Sequence, residues 1–286
     1  MRQFVALLVL CSLVVANAEG RNRMACEKAD SDLCVFKHVS THQYLRADVA
    51  CSDNPFYRDF DYLYYDINLN IQWPEIIAGK QPIDLQTRIC INAFNDTTTD
   101  IAKAVDRCIA KVANEDDDLK YLPCESIPKS GGYSTRSSLT ANVFPTYMGS
   151  RIYTFKVSST SYSIGAAHGM YFNSYICYDT KQGKVLTLDD LFTDKDKLLE
   201  LIKKCLSVDS MAPLYGQELP EMLKRIYVSD NFKIEESKIS FVYNPYEIAC
   251  FATGIVEVPI YFFEFTDDLN ILTPEGKSIL TVSNPL

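Results

Sequence analysis

Histidine is scarce in this chain: His38, His42 and His168 are the three in 286 residues. Trp73 is the sole tryptophan, which leaves little of the broad ring surface that sugar platforms favour, although 18 tyrosines keep glycan recognition open. After residue 18 there is no apolar run long enough to cross a bilayer, so no membrane span is expected. Lys and Arg are outnumbered by Asp and Glu, 28 against 37, for a net charge of −9. That balance argues against a nucleic-acid partner and fits a basic partner or simple solubility. There is no G-x-S-x-G nucleophile elbow and no cysteine–histidine signature, which removes those two nucleophilic patterns. Acidic clusters at 114–118, 189–190, 194–196 and 267–268 lack the central glycine and terminal glutamate of a calcium loop, and read as solvated faces or helix N-terminal charge. No internal repeat and no low-complexity linker is present. No metal and no cofactor is expected.

What is present begins with a leader. Arg2 supplies a positive n-region, Phe4 to Ala16 is an apolar run of 13 residues, and Ala16-Asn17-Ala18 is a small-x-small cleavage site. Residues 1–18 are therefore expected to be a signal peptide, Glu19 the first mature residue, and the protein secreted, or periplasmic in a bacterium. A lipoprotein reading through Cys11 is disfavoured by the bulky Leu10 before it. The remaining cysteines are Cys26, Cys34, Cys51, Cys90, Cys108, Cys124, Cys177, Cys205 and Cys250, an odd number. In an oxidising compartment most are expected to pair, with one left over, and the N-terminal half to be the more heavily stapled.

The pattern along the chain is mixed α+β. Residues 19–60 carry three cysteines, many charges and little periodicity, and read as an irregular, disulfide-pinned extension. DYLYYDINLNIQW (61–73) alternates as a strand does, with Pro74 ending it. Pro82 to Phe94 and Asp100 to Ala113 read as helices. Arg151 to Ile164 and Met170 to Asp179 read as strands. Thr187 is expected to cap a short helix LDDLF, and Thr193 a longer one whose apolar face is Leu198, Leu199, Leu201, Ile202, Cys205 and Leu206. A helix over Leu219 to Tyr227 precedes strands at 232–234, 238–243 and 255–265. The fold expected is two packed α/β subdomains with antiparallel sheets, flanking helices and disulfides, divided at 61–175 and 176–286.

Three places invite a functional reading. In YSIGAAHGMYFNSYICYD (162–179), Gly165 and Gly169 permit backbone angles suited to a tight connection between strands. His168 there reads first as a turn residue bonding local carbonyls, second as part of a binding surface, and third as catalytic. Cys34, His38 and His42 stand at i, i+4 and i+8 and on a helix would share a face suited to zinc. An oxidised Cys34 and the poor helix formers Val39-Ser40-Thr41 speak against it. The loop NPYEIACFATG (244–254) interrupts two strands. It reads as a structural loop, or as an exposed Pro245-Tyr246 tip of the kind that anchors a protein partner, with Glu247 beside it. Asn95-Asp96-Thr97 is the one N-glycosylation sequon, marking an exposed loop at Asn95 in a eukaryotic host.

The stretch SSTSYSIGAAHGMYFNSYICYDTKQGKVLTLDDLF (158–192) resembles the secreted domain shared by RsiV-like anti-sigma factors and the N-terminal regions of some peptidoglycan deacetylases. That family has a Gly-Gly-Ala-His-Gly knot, a strand ending in aspartate, a Lys-x-Gly-Lys turn and a Leu-x-Asp-Leu-Phe helix start. FVYNPYEIACFATGIVEVPI (241–260) is similar to its F-x-P-Y-E-I-A-P-Y-A-x-G block and closing strand, and YYDINLNIQWPEI (64–76) to its opening strand. Ala166, Cys250 and Phe251 depart from the family's glycine, proline and tyrosine. The resemblance covers roughly residues 60–265, with no deacetylase catalytic domain and no sigma-binding segment. It implies a non-catalytic extracellular module that binds a protein, a lysozyme in the best understood members. A cell-wall or glycan-binding role is the alternative, and an uncharacterised hydrolase the third. On this reading the loop 244–251 forms the binding surface, supported by the turn at Gly165 and Gly169, with Gly254 as a further turn position.

Overall fold

The computed structural model describes residues 34–49, 60–114, 119–128, 136–208, 215–266 and 270–280. Its frame is a seven-stranded sheet in the order β3-β1-β2-β4-β5-β6-β7. The strands are β1 (Val35–Asp48), β2 (Tyr62–Ile76), β3 (Leu122–Cys124), β4 (Arg136–Met148), β5 (Ile152–Tyr162), β6 (Met170–Asp179) and β7 (Lys184–Val185). Along β2, Leu63, Tyr65, Ile67, Leu69, Ile71 and Trp73 face inward and are buried. The intervening Asp66, Asn68 and Asn70 face the other side, as the two-residue period of a strand dictates. All neighbours run antiparallel except β2 and β4, which are parallel. A parallel pair cannot be joined by a tight turn. The chain between them makes α1 (Ile83–Phe94), α2 (Ile101–Ala113) and the edge strand β3.

Both helices cover the inward face of the sheet. In α2 the buried residues Ile101, Ala104, Val105, Ile109 and Val112 form one stripe. Asp100 caps it, its carboxylate accepting from Ala102 N and Lys103 N at 3.1 and 3.2 Å, a contribution of about 1 kcal/mol. α1 starts after Pro82 and ends at Asn95, whose φ of 54° lets its N–H reach back to Cys90 O and Ile91 O.

A second core is stacked on the opposite face, towards the far ends of β5 and β6. It holds the three-stranded antiparallel sheet β10-β9-β8, made of β8 (Phe232–Ile234), β9 (Lys238–Tyr243) and β10 (Val256–Tyr261). Its helices are α3 (Leu188–Leu191), α4 (Lys195–Val208), α5 (Leu219–Arg225) and α6 (Pro274–Leu280). Ile152 and Cys177, on the outward side of β5 and β6, belong to this second core. Thr154 Oγ1 donates to Ile234 O at 2.6 Å across the junction. Arg151 fastens the same corner. Its Nε and one terminal nitrogen donate to Asp179 Oδ2 at 3.0 and 2.6 Å, the other reaches Ser278 Oγ at 2.8 Å, and Glu275 pairs with it as well. α6 lies so close to α3 that a Cβ on Gly276 would overlap Leu191 O.

The mixed α+β character and the two sheets agree with the sequence reading, but disulfide stabilisation does not. No disulfide joins Cys34, Cys90, Cys108, Cys124, Cys177, Cys205 or Cys250. They are spread over α1, α2, β3, β6, α4 and the surrounding loops, and four of them are buried as ordinary apolar core residues. Cys26, Cys51 and the leader expected at residues 1–18 lie outside the described residues. The stretch 19–60 is not wholly irregular either, since Val35–Asp48 is a 14-residue strand. The sheets are not purely antiparallel, because of the β2–β4 pair. Pro74 does not end β2. A register shift between Val35 and Phe36 accommodates it, and Gln86 Nε2 donates to its carbonyl at 2.8 Å. α4 is capped by Asp194, which accepts from Lys197 N at 3.0 Å, while Thr193 Oγ1 is turned to Ile271 O. For α3 the capping box of Thr187 and Asp190 is formed.

Candidate functional site

Two loops, one from the large sheet and one from the second core, meet at the start of β6. The first is the connection between β5 and β6. Ala166 N donates to Ser163 O at 3.0 Å, Gly165 takes a φ of 81°, and a Cβ on Gly169 would stand 3.0 Å from Ser161 O. The glycines are thus required by a positive φ and by a close approach. His168 is carried at the tip, exposed. Its Nδ1 lies 3.0 Å from Gly169 O. A carbonyl only accepts, so Nδ1 carries the hydrogen and Nε2 is left to accept from the Tyr246 hydroxyl 3.2 Å away.

The second loop follows β9. Glu247 N donates to Asn244 O at 3.1 Å, and the Glu247 carboxylate accepts from Asn244 N at 2.9 Å, closing a turn on itself. Tyr246 at its apex has a φ of 73° and its side chain is 55% exposed. A bulky residue in that region is strained by about 1–2 kcal/mol. Ile248 and Ala249 anchor the loop in the second core. Pro245 is buried, so the expected Pro-Tyr tip is a tyrosine tip with a proline beneath it. Cys250 Sγ donates to Glu218 Oε1 at 3.0 Å and Thr253 Oγ1 donates to the other oxygen. The Thr253 hydroxyl first, and then the Cys250 thiol, hold the Glu218 carboxyl below its ordinary range. Gly254 has a φ of 79° and stands where a Cβ would lie 3.2 Å from the Tyr171 hydroxyl.

The rings interlock. His168 stacks on Phe251 with centroids 3.8 Å apart and planes at 22°. Tyr171 meets Phe251 edge-on at 5.5 Å, and Tyr246 lies 5.7 Å from it. Phe251 entered the sequence reading only as a member of the loop 244–251 and as a departure from the family's tyrosine, and Tyr171 was not singled out at all. Tyr171 carried a usable signal, since it alternates to the outward face of β6, two residues past Gly169. Below the rings, the edge of β6 beyond β7 is closed by two asparagine side chains. Asn244 Oδ1 accepts from Asn173 N at 2.7 Å. Asn231 Oδ1 accepts from Tyr175 N at 2.9 Å, and its amide donates to Asn173 O at 2.8 Å.

The other sequence candidates do not converge. Cys34 immediately precedes β1, and His38 and His42 lie within it. Four residues of strand span about 13 Å, too far for three ligands to share one ion. His42 Nε2 is instead 2.9 Å from Asp66 Oδ1. Asn95 stands exposed as the C-cap of α1. Among the described residues no group of three His, Cys, Asp or Glu side chains could hold a metal. No helix among them is long and apolar enough to cross a membrane.

Residues 189–262 match a family described as protein of unknown function (DUF3298). The matched stretch holds most of the second core and the loop 244–254, and begins after His168. The fold is shared with the crystal structure of a DUF3298 family member from Bacteroides fragilis, at 18% identity and a TM-score of 0.63 over 88% of this chain and 99% of that one. A DUF3298 family protein from Pseudomonas aeruginosa PAO1 aligns over the same shares at 19% identity and a TM-score of 0.50. No curated protein matches. The chain therefore carries a DUF3298 region and the fold seen in that family. The RsiV-like resemblance is a narrower statement than these matches make.

Proposed function

We propose that this chain is a non-catalytic recognition module that engages an extracellular protein through the composite aromatic tip. The observation that carries the reading is that Tyr246 is exposed, held at a φ of 73°, and backed by His168 and Phe251. An exposed aromatic fixed in one orientation loses little freedom on binding and is the type of residue that dominates interfaces. Strain at a solvent-facing residue, maintained by its surroundings, points in the same direction. His168 has no chemical task in this reading. One ring nitrogen is engaged by Gly169 O, the other by Tyr246, and the ring face by Phe251.

Export follows from the leader at residues 1–18, and a basic, lysozyme-like partner from the resemblance and the net charge of −9. Free thiols are compatible with export where burial protects them. Burial pushes the Cys90 and Cys177 thiols up to about 12, and the thiolate is the form that oxidises. The test is titration of an animal-type lysozyme against the wild type and Tyr246→Ala. Binding that weakens about thirtyfold in the variant supports the reading, by the usual weight of an aromatic anchor. No binding at about 100 μM, equivalent to less than about 5.5 kcal/mol, removes lysozyme as the partner.

A further inference from the structure

The outward face of the large sheet carries a second feature, which adjoins the aromatic tip at Tyr171. The strand registers place His42, Asn68, Thr140, Thr160 and Tyr171 in one row across five strands. The adjacent row is Ser40, Asn70, Asn142, Ser158 and Asn173. All ten are exposed or half-buried. Their inward neighbours Ile67, Leu69, Ala141 and Val157 are in the core. Five strands at about 4.8 Å spacing make the stripe about 19 Å long. It ends at Tyr171, where the loop holding Phe251 rises from the second core, so the stripe has a floor and a wall.

A water-facing sheet is expected to be polar, but solubility is ordinarily supplied by charge. Charged residues are 23% of this chain, and the stripe contains none. The nearest carboxylate, Asp66, is already engaged by His42 at 2.9 Å and Arg136 at 3.6 Å. The amides are ordered: Ser40 Oγ donates to Asn70 Oδ1 at 3.0 Å and Asn70 Nδ2 to Asn68 Oδ1 at 2.9 Å. A basic protein would find no opposite charge here, and a protein interface would place aromatic and arginine side chains at its centre. A face of uncharged donors and acceptors, closed at one end by a tyrosine ring, complements a neutral chain of hydroxyls with apolar ring faces. We propose that this stripe binds an oligosaccharide, laid across the strands with one sugar against Tyr171. The stripe shares Phe251 with the tip but does not include Tyr246, so the sugar reading and the partner reading are tested by different variants and either can fail alone.

The experiment is calorimetric titration of the full chain with chitohexaose and with cellohexaose, up to about 5 mM, the range of weak single-site binding. Binding of either supports the proposal, and binding of chitohexaose alone assigns the recognition to its acetamido groups. Asn70→Ala and Asn142→Ala should each weaken the sugar about three- to tenfold, the net weight of one hydrogen-bonded side chain. Thr160→Ala, at an exposed position, gives a third reading that does not disturb the asparagine ladder. Absence of binding by both sugars overturns the proposal. So does sugar binding that all three stripe variants leave unchanged. Loss of lysozyme binding in the stripe variants without any sugar binding overturns it too, and assigns the face to a protein.

Discussion

Arg151→Met should be among the most damaging single substitutions in the molecule. Asp179 is wholly buried. Its Oδ1 accepts from Lys181 N and Gln182 N at 2.8 and 3.1 Å, which shapes the turn into β7, and its Oδ2 faces Arg151 alone. Without the guanidinium a carboxylate remains in the interior with no counter-charge, a loss of about 3–5 kcal/mol. The bond from Arg151 to Ser278 goes as well, for about 1 kcal/mol more and a looser α6. Asp179→Leu leaves the N–H groups of Lys181 and Gln182 without their shared acceptor and takes from Arg151 one of its two carboxylate partners, though Arg151 is partly exposed and can rehydrate, so about 2–3 kcal/mol is expected. The double variant removes both charges. It should be less destabilised than the sum of the singles by about 2 kcal/mol or more. Urea unfolding followed by circular dichroism gives the four stabilities of the cycle. Additivity within about 0.5 kcal/mol, or an Arg151→Met loss under about 1 kcal/mol, would refute the argument that the pair is held together by desolvation.

Tyr246→Gly should be more stable than Tyr246→Ala by about 1 kcal/mol, since glycine adopts the positive φ freely, while both lose partner binding equally; thermal melts beside a binding titration separate the two effects. Among the described cysteines of the native protein a maleimide should modify Cys250 first, and Cys90 and Cys177 only after unfolding, as mass spectrometry of labelled peptides would show. Because those two buried thiols keep their protons up to about 12 against 9.0 for a free thiol, the stability they contribute is complete below pH 9 and drains away as the pH rises towards 12. Urea midpoints that do not fall between pH 9 and 11 would contradict this. Gly276→Ala should cost about 1–3 kcal/mol through overlap with Leu191 O, read as a lower melting temperature with the secondary structure retained.

The elements legible in the sequence were those whose burial is one-sided. β2 alternates through Leu63 to Trp73, α2 repeats its apolar residues around a turn, and Thr187 with Asp190 announces α3. β1 was hidden because its middle, from Lys37 to Tyr44, places exposed and half-buried side chains on both faces, and only Phe36, Leu45 and Ala47 mark the core side. β4 alternates through Leu139, Ala141 and Val143, but Pro145 sits at its register shift and masks the pattern. Both loops of the tip could be named from the sequence. The contact between His168 and Phe251 could not, because it depends on how the second core docks on β6, a tertiary fact without a local signature. The expectation of disulfides failed because cysteine count and a leader describe a compartment, whereas pairing requires side chains to be brought within reach.

The asparagine closure of β6 bears on polymerisation. A strand edge with unpaired amides is a template for another chain, and proteins usually blunt it with charge, proline or a covering segment. Here two side chains imitate the missing neighbour, satisfying Asn173 and Tyr175 without presenting a backbone of their own for further extension. The ladder stops, as a zip does at a stitched end. Asn244 belongs to the same turn that raises Tyr246, so the residue that terminates the sheet and the residue offered to a partner are two positions apart. A chain that lost that turn would exchange a binding tip for an adhesive edge.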